Sequence, residues 1–80
     1  MPTRVLGFGI VKEIFSGPWT WVELAPGSTA ADLRQLLEQE YPSLKDLASY
    51  MIAINNNYAH PGDTFDTGDE IAIIPPVSGG

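Results

Sequence analysis

Near the end of the chain, Ile71-Ala72-Ile73-Ile74 forms an unbroken apolar run that Pro75-Pro76 cuts off. An apolar run without polar alternation reads as a strand in the middle of a sheet, more buried than its neighbours. Two prolines have no N–H to give a ladder, so the strand must end there and the chain must peel away. A central strand needs a partner on each side and a layer to cover it. With 80 residues, folding buries only about 60% of the surface that the unfolded chain exposes. One layer of sheet with one helix over it is what a core of that size supports.

The remaining segments supply those pieces. Thr3 to Phe8 reads as a first strand with Val5 and Leu6 as its apolar content, and Lys12 to Gly17 as a short helical or looped excursion. Trp19 to Leu24 is aromatic and β-branched enough for a second strand, with Ser16-Gly17-Pro18 turning into it. The first two strands then form a hairpin with an elaborate connection. Thr29 with Asp32 has the form of a capping box. Ala30, Leu33, Leu36, Leu37 and Tyr41 follow at helical spacing on one face, with Asp32, Arg34, Gln35, Glu38 and Gln39 on the other. Tyr41-Pro42 ends that helix, because a residue before proline avoids the α region. Tyr50 to Ile54 reads as a third strand, Asn55-Asn56-Asn57 as a turn tolerant of positive φ, and Tyr58 to His60 as a short edge strand. Thr67-Gly68-Asp69 turns into the last strand. This order predicts an α+β fold: a mixed sheet with one main helix packed on one face and the last strand beside the first. It is similar to the β-grasp arrangement seen in ubiquitin, although periodicity alone supports only a small α+β domain. Residues 1–74 would form the domain, and 75–80 an extended, flexible tail.

Charge and composition narrow the function. The net charge is −6, and the four basic residues, Arg4, Lys12, Arg34 and Lys45, are scattered, so no stripe can neutralise the phosphates of a nucleic acid. An acidic surface suits solubility or docking on a basic patch of another protein. Cysteine is absent, which removes disulfides, thiolate metal sites and a cysteine nucleophile together. If the protein handles sulfur, the sulfur must ride on something other than a side-chain thiol. No apolar run approaches a membrane span and the first residues lack a signal-peptide pattern, so a cytoplasmic location away from membranes is expected.

The chemistry is expected in the tail, Pro75-Pro76-Val77-Ser78-Gly79-Gly80, after which the sequence stops. The prolines favour a stiff, extended conformation. Gly79 and Gly80 let the tip enter a channel where a Cβ would clash. Six extended residues reach roughly 20 Å, far enough to place a terminal carboxylate inside a partner's active site. A carboxylate is a poor electrophile, but joining it to AMP through ATP creates a mixed anhydride with a good leaving group. A persulfide can then attack the activated carbonyl, leaving a terminal thiocarboxylate whose sulfur is soft and nucleophilic.

The ending Gly68 to Gly80, an apolar strand followed by Pro-Pro-Val-Ser-Gly-Gly, resembles the signature of the molybdopterin synthase small-subunit (MoaD) family within the MoaD/ThiS superfamily. Val5 to Glu13 is similar to that family's first strand and its following basic–Glu pair, while the middle matches in pattern only. The resemblance implies a sulfur-carrier subunit with no catalysis of its own and no bound cofactor or metal. A ubiquitin-activating-like adenylyltransferase would use ATP to adenylate Gly80, and a sulfur donor protein would convert it to a covalent thiocarboxylate. The large subunit, in a heterotetramer, would receive the tail and pass sulfur to cyclic pyranopterin monophosphate for molybdenum cofactor biosynthesis. Gly80 and Gly79 would then carry the chemistry, and Ile74, Pro75, Pro76, Val77 and Ser78 would contact the partners. The Trp19-Thr20-Trp21 strand matches no motif of the family.

Other readings compete. A thiocarboxylate carrier for another pathway, such as thiamine, or a ubiquitin-like modifier would keep the chemistry and change the acceptor. A β-grasp interaction module with an inert tail would be a different class. An enzyme acting alone lacks an assembled nucleophile, base and orienting group. His60, the only histidine, is expected to face solvent from a loop, and Asp63, Asp66, Asp69 and Glu70 lack the spacing of a calcium loop and read as turn residues. Ile73 is expected in the core, and Ile74 at either the core or a docking surface.

Overall fold

The computed structural model describes residues 2–47 and 49–76. Strand β1 (Thr3–Gly7) leads through a short helix α1 (Ile10–Phe15) to β2 (Trp19–Val22), and the main helix α2 (Ala30–Glu40) follows. A 3-10 turn (Pro42–Asp46) then leads to β3 (Met51–Ile54), β4 (Asn57–Tyr58) and β5 (Ile71–Ile74). The five strands form one sheet in the order β2-β1-β5-β3-β4. Strand β1 is antiparallel to β2 and parallel to β5, while β3 is antiparallel to both β5 and β4. The apolar run is therefore the central strand, with the first strand beside it. This is the β-grasp fold.

One face of the sheet makes the core. Val5, Val22, Ile52, Ile71 and Ile73 point toward α2, and α2 answers with Ala30, Leu33 and Leu37. Leu33, Leu37, Ile71, Ile73, Val5 and Val11 are fully buried, each worth about 1.5–3 kcal/mol relative to an exposed side chain. Glycine at position 7 makes room for α1, since a β-carbon there would stand 2.8 Å from Phe15 Cδ2 and 3.0 Å from Val11 Cγ1. Leu44, in the 3-10 turn, and Phe65, in the loop before β5, complete the core.

The start of α2 is held from two directions. The Thr29 N–H donates to Asp32 Oδ2 at 3.0 Å, and the Asp32 N–H donates to Thr29 Oγ1 at 3.2 Å, which is the expected capping box. The N–H groups of Ala30 and Ala31 donate to the carbonyls of Asp63 and Pro61 at 2.8 and 3.0 Å. Of the four donors that a helix leaves orphaned, the capping box thereby satisfies two and the loop of residues 60–64 the other two.

Several boundaries differ from the sequence reading: β1 ends at Gly7 rather than Phe8, β3 begins at Met51 rather than Tyr50, and the edge strand ends at Tyr58 rather than His60. Asn55 and Asn56 both take positive φ, 51° and 69°, and form a two-residue hairpin turn. That turn starts β4 at Asn57, one residue before the expected Tyr58. The second strand stops at Val22, and Leu24 reaches the core from the loop beyond it.

Candidate functional site

Among the described residues, no layer lies over the face of the sheet away from α2. Alternation along the strands sends Arg4, Leu6 and then Phe8 outward from β1, Trp19 and Trp21 from β2, Ala72 and Ile74 from β5, Met51 and Ala53 from β3, and Tyr58 from β4. Cross-strand register lines up Trp19, Leu6, Ala72, Ala53 and Tyr58 in one row across all five strands. Phe8, Trp21 and Tyr58 are 50%, 60% and 64% exposed. An apolar area of this extent on a small domain makes this face the candidate interaction surface.

Its centre is low and its sides are high. Ala53 and Ala72 are small, and Leu6, Phe8, Tyr58 and Ile74 rise around them to enclose a depression of about 350 Å³, with Asn56 and Glu70 also lining it. Across the sheet the Arg4 guanidinium lies 5.5 Å from the Trp19 ring centroid, a cation–π contact at the rim. Arg4 thus stands at the rim of this face and Glu70 at the edge of its depression.

Glu70 is carried by a network of turns. Asn55 Oδ1 accepts from the Glu70 N–H at 3.0 Å, and the Asn55 N–H donates to the Glu70 carbonyl at 2.8 Å. Asp69 accepts from the Asp66 N–H at 2.8 Å and from Asn55 Nδ2 at 3.1 Å. Those two hydrogen bonds, the backbone one first, hold the Asp69 carboxyl below the usual carboxylate range. The acidic residues are turn residues, as expected, and no cluster of three or more metal-ligating side chains exists among the described residues. His60 is exposed, its Nδ1 3.6 Å from Asp63 Oδ2.

The tail begins at one margin of this face. Ile74 pairs with Met51 and is half-buried on the open side, whereas Ile73 is fully buried on the core side. Pro75 is half-buried and Pro76 exposed. Val77, Ser78, Gly79 and Gly80 lie outside the described residues. Sequence reasoning named the tail root and did not single out Leu6, Phe8, Met51, Ala53, Tyr58 and Ala72 as members of one open face. The signal was present as strand alternation, since an outward position on a one-helix sheet that carries a large apolar side chain has nothing of its own to cover it.

The model of the ThiS family matches residues 5–80, from the first strand to the last residue of the sequence. The chain belongs to the ThiS family. A molybdopterin synthase sulfur carrier subunit of Caenorhabditis briggsae is 35% identical over 80 residues, covering 96% of this chain and 95% of that one. SAMP1 from Haloferax volcanii has the same fold, with a TM-score of 0.83 at 24% identity and all of both chains covered. A chain in the complex of subunits 1 and 2 of the molybdopterin-converting factor from Helicobacter pylori 26695 superposes with a TM-score of 0.69 at 25% identity, again covering all of both chains. Within this family, no helix of the described residues is long and apolar enough to cross a membrane.

Proposed function

We propose that the chain is the sulfur-carrier subunit of a molybdopterin synthase, with Gly80 as the residue that carries the sulfur. The observation that carries this reading is the uncovered apolar face running into the root of a Pro-Pro-Val-Ser-Gly-Gly ending, in a chain whose curated relative is a molybdopterin synthase sulfur carrier subunit. The face would dock on a partner while the tail delivers its end.

The chemistry follows from a terminal glycine carboxylate. Its oxygen attacks the α-phosphorus of ATP in an adenylyltransferase, pyrophosphate leaves, and an acyl adenylate forms. The outer sulfur of a donor persulfide attacks the acyl carbon and AMP leaves. A thiol then cleaves the resulting S–S bond, leaving the thiocarboxylate on Gly80 and a disulfide on the donor side. On the large subunit the thiocarboxylate sulfur bonds to a carbon of cyclic pyranopterin monophosphate as an oxygen leaves that carbon. Water then cleaves the acyl C–S bond of the resulting thioester, returning the Gly80 carboxylate and leaving the sulfur on the pterin. This chain contributes the activated end and the docking face, and the pterin-binding groups belong to the large subunit. The absence of cysteine means that no thiol of the chain competes for its own activated carbonyl.

Intact mass spectrometry tests the reading. Incubation with ATP, the cognate adenylyltransferase and a persulfide donor should raise the mass by the exchange of one oxygen for sulfur, and a chain extended by one residue beyond Gly80 should stay unchanged. Conversion of the extended chain, or isopeptide conjugates in place of the thiocarboxylate, would overturn it.

A further inference from the structure

Strands β1 and β5 run parallel with Val5, Leu6 and Gly7 opposite Ile71, Ala72 and Ile73. Continuing that register puts Phe8 opposite Ile74 and Gly9 opposite Pro75, at the level where both segments leave the sheet. Gly9 has φ 56° and ψ −129°, the first central position of a type II′ turn, where glycine is favoured because a β-carbon is strained. The Val11 N–H closes that turn on the Phe8 carbonyl at 3.0 Å. A β-carbon added to Gly9 would stand 3.1 Å from Pro75 Cγ, while the rest of its surroundings are open. Pro75 is half-buried there.

We propose that Gly9 is a positioning residue for the tail: its bare backbone is the floor on which the Pro75 ring rests, and it sets the direction in which the chain leaves the domain at Pro76. The proposal rests on the reading of Gly80 as the delivered group. Two successive prolines make the root stiff, so an error in direction propagates. A turn of about 10° at the root moves the tip of a roughly 20 Å tail by about 3–4 Å. A misplacement of that size at a reacting carboxylate matters far more to the rate than to docking, because the docking face lies on the sheet.

The test is ATP–pyrophosphate exchange by the cognate adenylyltransferase, with the full chain as substrate. Gly9→Ala should keep the apparent KM within about twofold and lower kcat roughly tenfold to a hundredfold. Gly27→Ala is the control for backbone strain alone, since Gly27 has φ 82° and nothing within 4 Å of an added β-carbon; its kcat should equal that of the wild type. Pro75→Ala takes away the ring that rests on Gly9 and should lower kcat at constant apparent KM. The double variant Gly9→Ala/Pro75→Ala should lose less than the product of the two single losses, because the conflict between the two side chains is gone. Equal kcat for Gly9→Ala and Gly27→Ala, or strictly multiplicative losses in the double variant, would overturn the assignment. If Gly9→Ala does not fold, Pro75→Ala decides alone: an unchanged kcat overturns the proposal. A wild-type chain that is not activated at all overturns the carrier reading, whereas an activated wild type with indifferent variants overturns only the role of Gly9.

Discussion

Tyr50 joins the two layers through its neighbours on α2. Its hydroxyl donates to Glu38 Oε2 at 2.5 Å, its carbonyl accepts from Arg34 Nη2 at 3.0 Å, and the Arg34 guanidinium lies 4.5 Å from its ring centroid. Helical spacing puts Arg34 and Glu38 on the polar face, which is correct for the helix alone. Their partner is 16 and 12 residues away in sequence, and periodicity carries no information about it. Burial first, then the hydrogen bond and charge of Glu38, push the Tyr50 hydroxyl well above the ordinary tyrosine value, with Arg34 opposing. A pKa raised on folding gives a stabilisation that is complete below the unfolded value of about 10 and is lost as pH rises through the folded one. In alkaline unfolding monitored by circular dichroism, the wild type should therefore lose stability above about pH 10. Tyr50→Phe should abolish that component of the slope, and an identical slope in the variant would assign it to other groups.

At the scale of elements, local chemistry was most legible where neighbours in sequence satisfy one another. Thr29 and Asp32 name the start of α2 because both halves of the box lie within one turn, and the apolar run of β5 names the central strand because it needs cover on both flanks. The Asn55-Asn56 turn was legible as a turn, but its two-residue length, which starts β4 at Asn57, was not. The roles of Leu44 and Phe65 were hidden because each enters the core from a connection with no periodicity to read. Thr29→Ala should cost about 0.5–2 kcal/mol, read as a fall in Tm of several degrees, about 4–8 °C per kcal/mol for a domain this small. Leu33→Ala, on the buried face of the same helix, should cost about 2–5 kcal/mol. A Thr29→Ala loss as large as that of Leu33→Ala would mean that the loop of residues 60–64 detaches with the cap.

On the scale of the whole molecule, the fold is one-sided: α2 covers one face of the sheet, and among the described residues no layer covers the other. The sequence pointed to the tail root, Ile74 to Val77, as the docking site because those are the apolar residues nearest the group to be delivered. Ile74 does lie on the open face, and the register extends that face through Ala72, Ala53 and Leu6 to Tyr58 and Trp19. An adenylyltransferase and a large subunit that both take the Gly80 carboxylate cannot hold it together, so their binding should be mutually exclusive. Burying one large side chain of this face is worth roughly 1.5–3 kcal/mol, so a charge placed there should weaken docking tenfold or more. Phe8→Asp and Tyr58→Asp are the clean variants, because both side chains are at least half exposed and neither belongs to the core. Each should raise the Kd for the large subunit at least about tenfold with little change in Tm, while Gln35→Asp, on the helix side, should bind as the wild type does. Fluorescence anisotropy with the labelled chain, titrated with one partner in the presence of the other, reads both expectations. A stable ternary complex would separate the two docking sites, and normal binding by Phe8→Asp and Tyr58→Asp would move docking off the open face of the sheet.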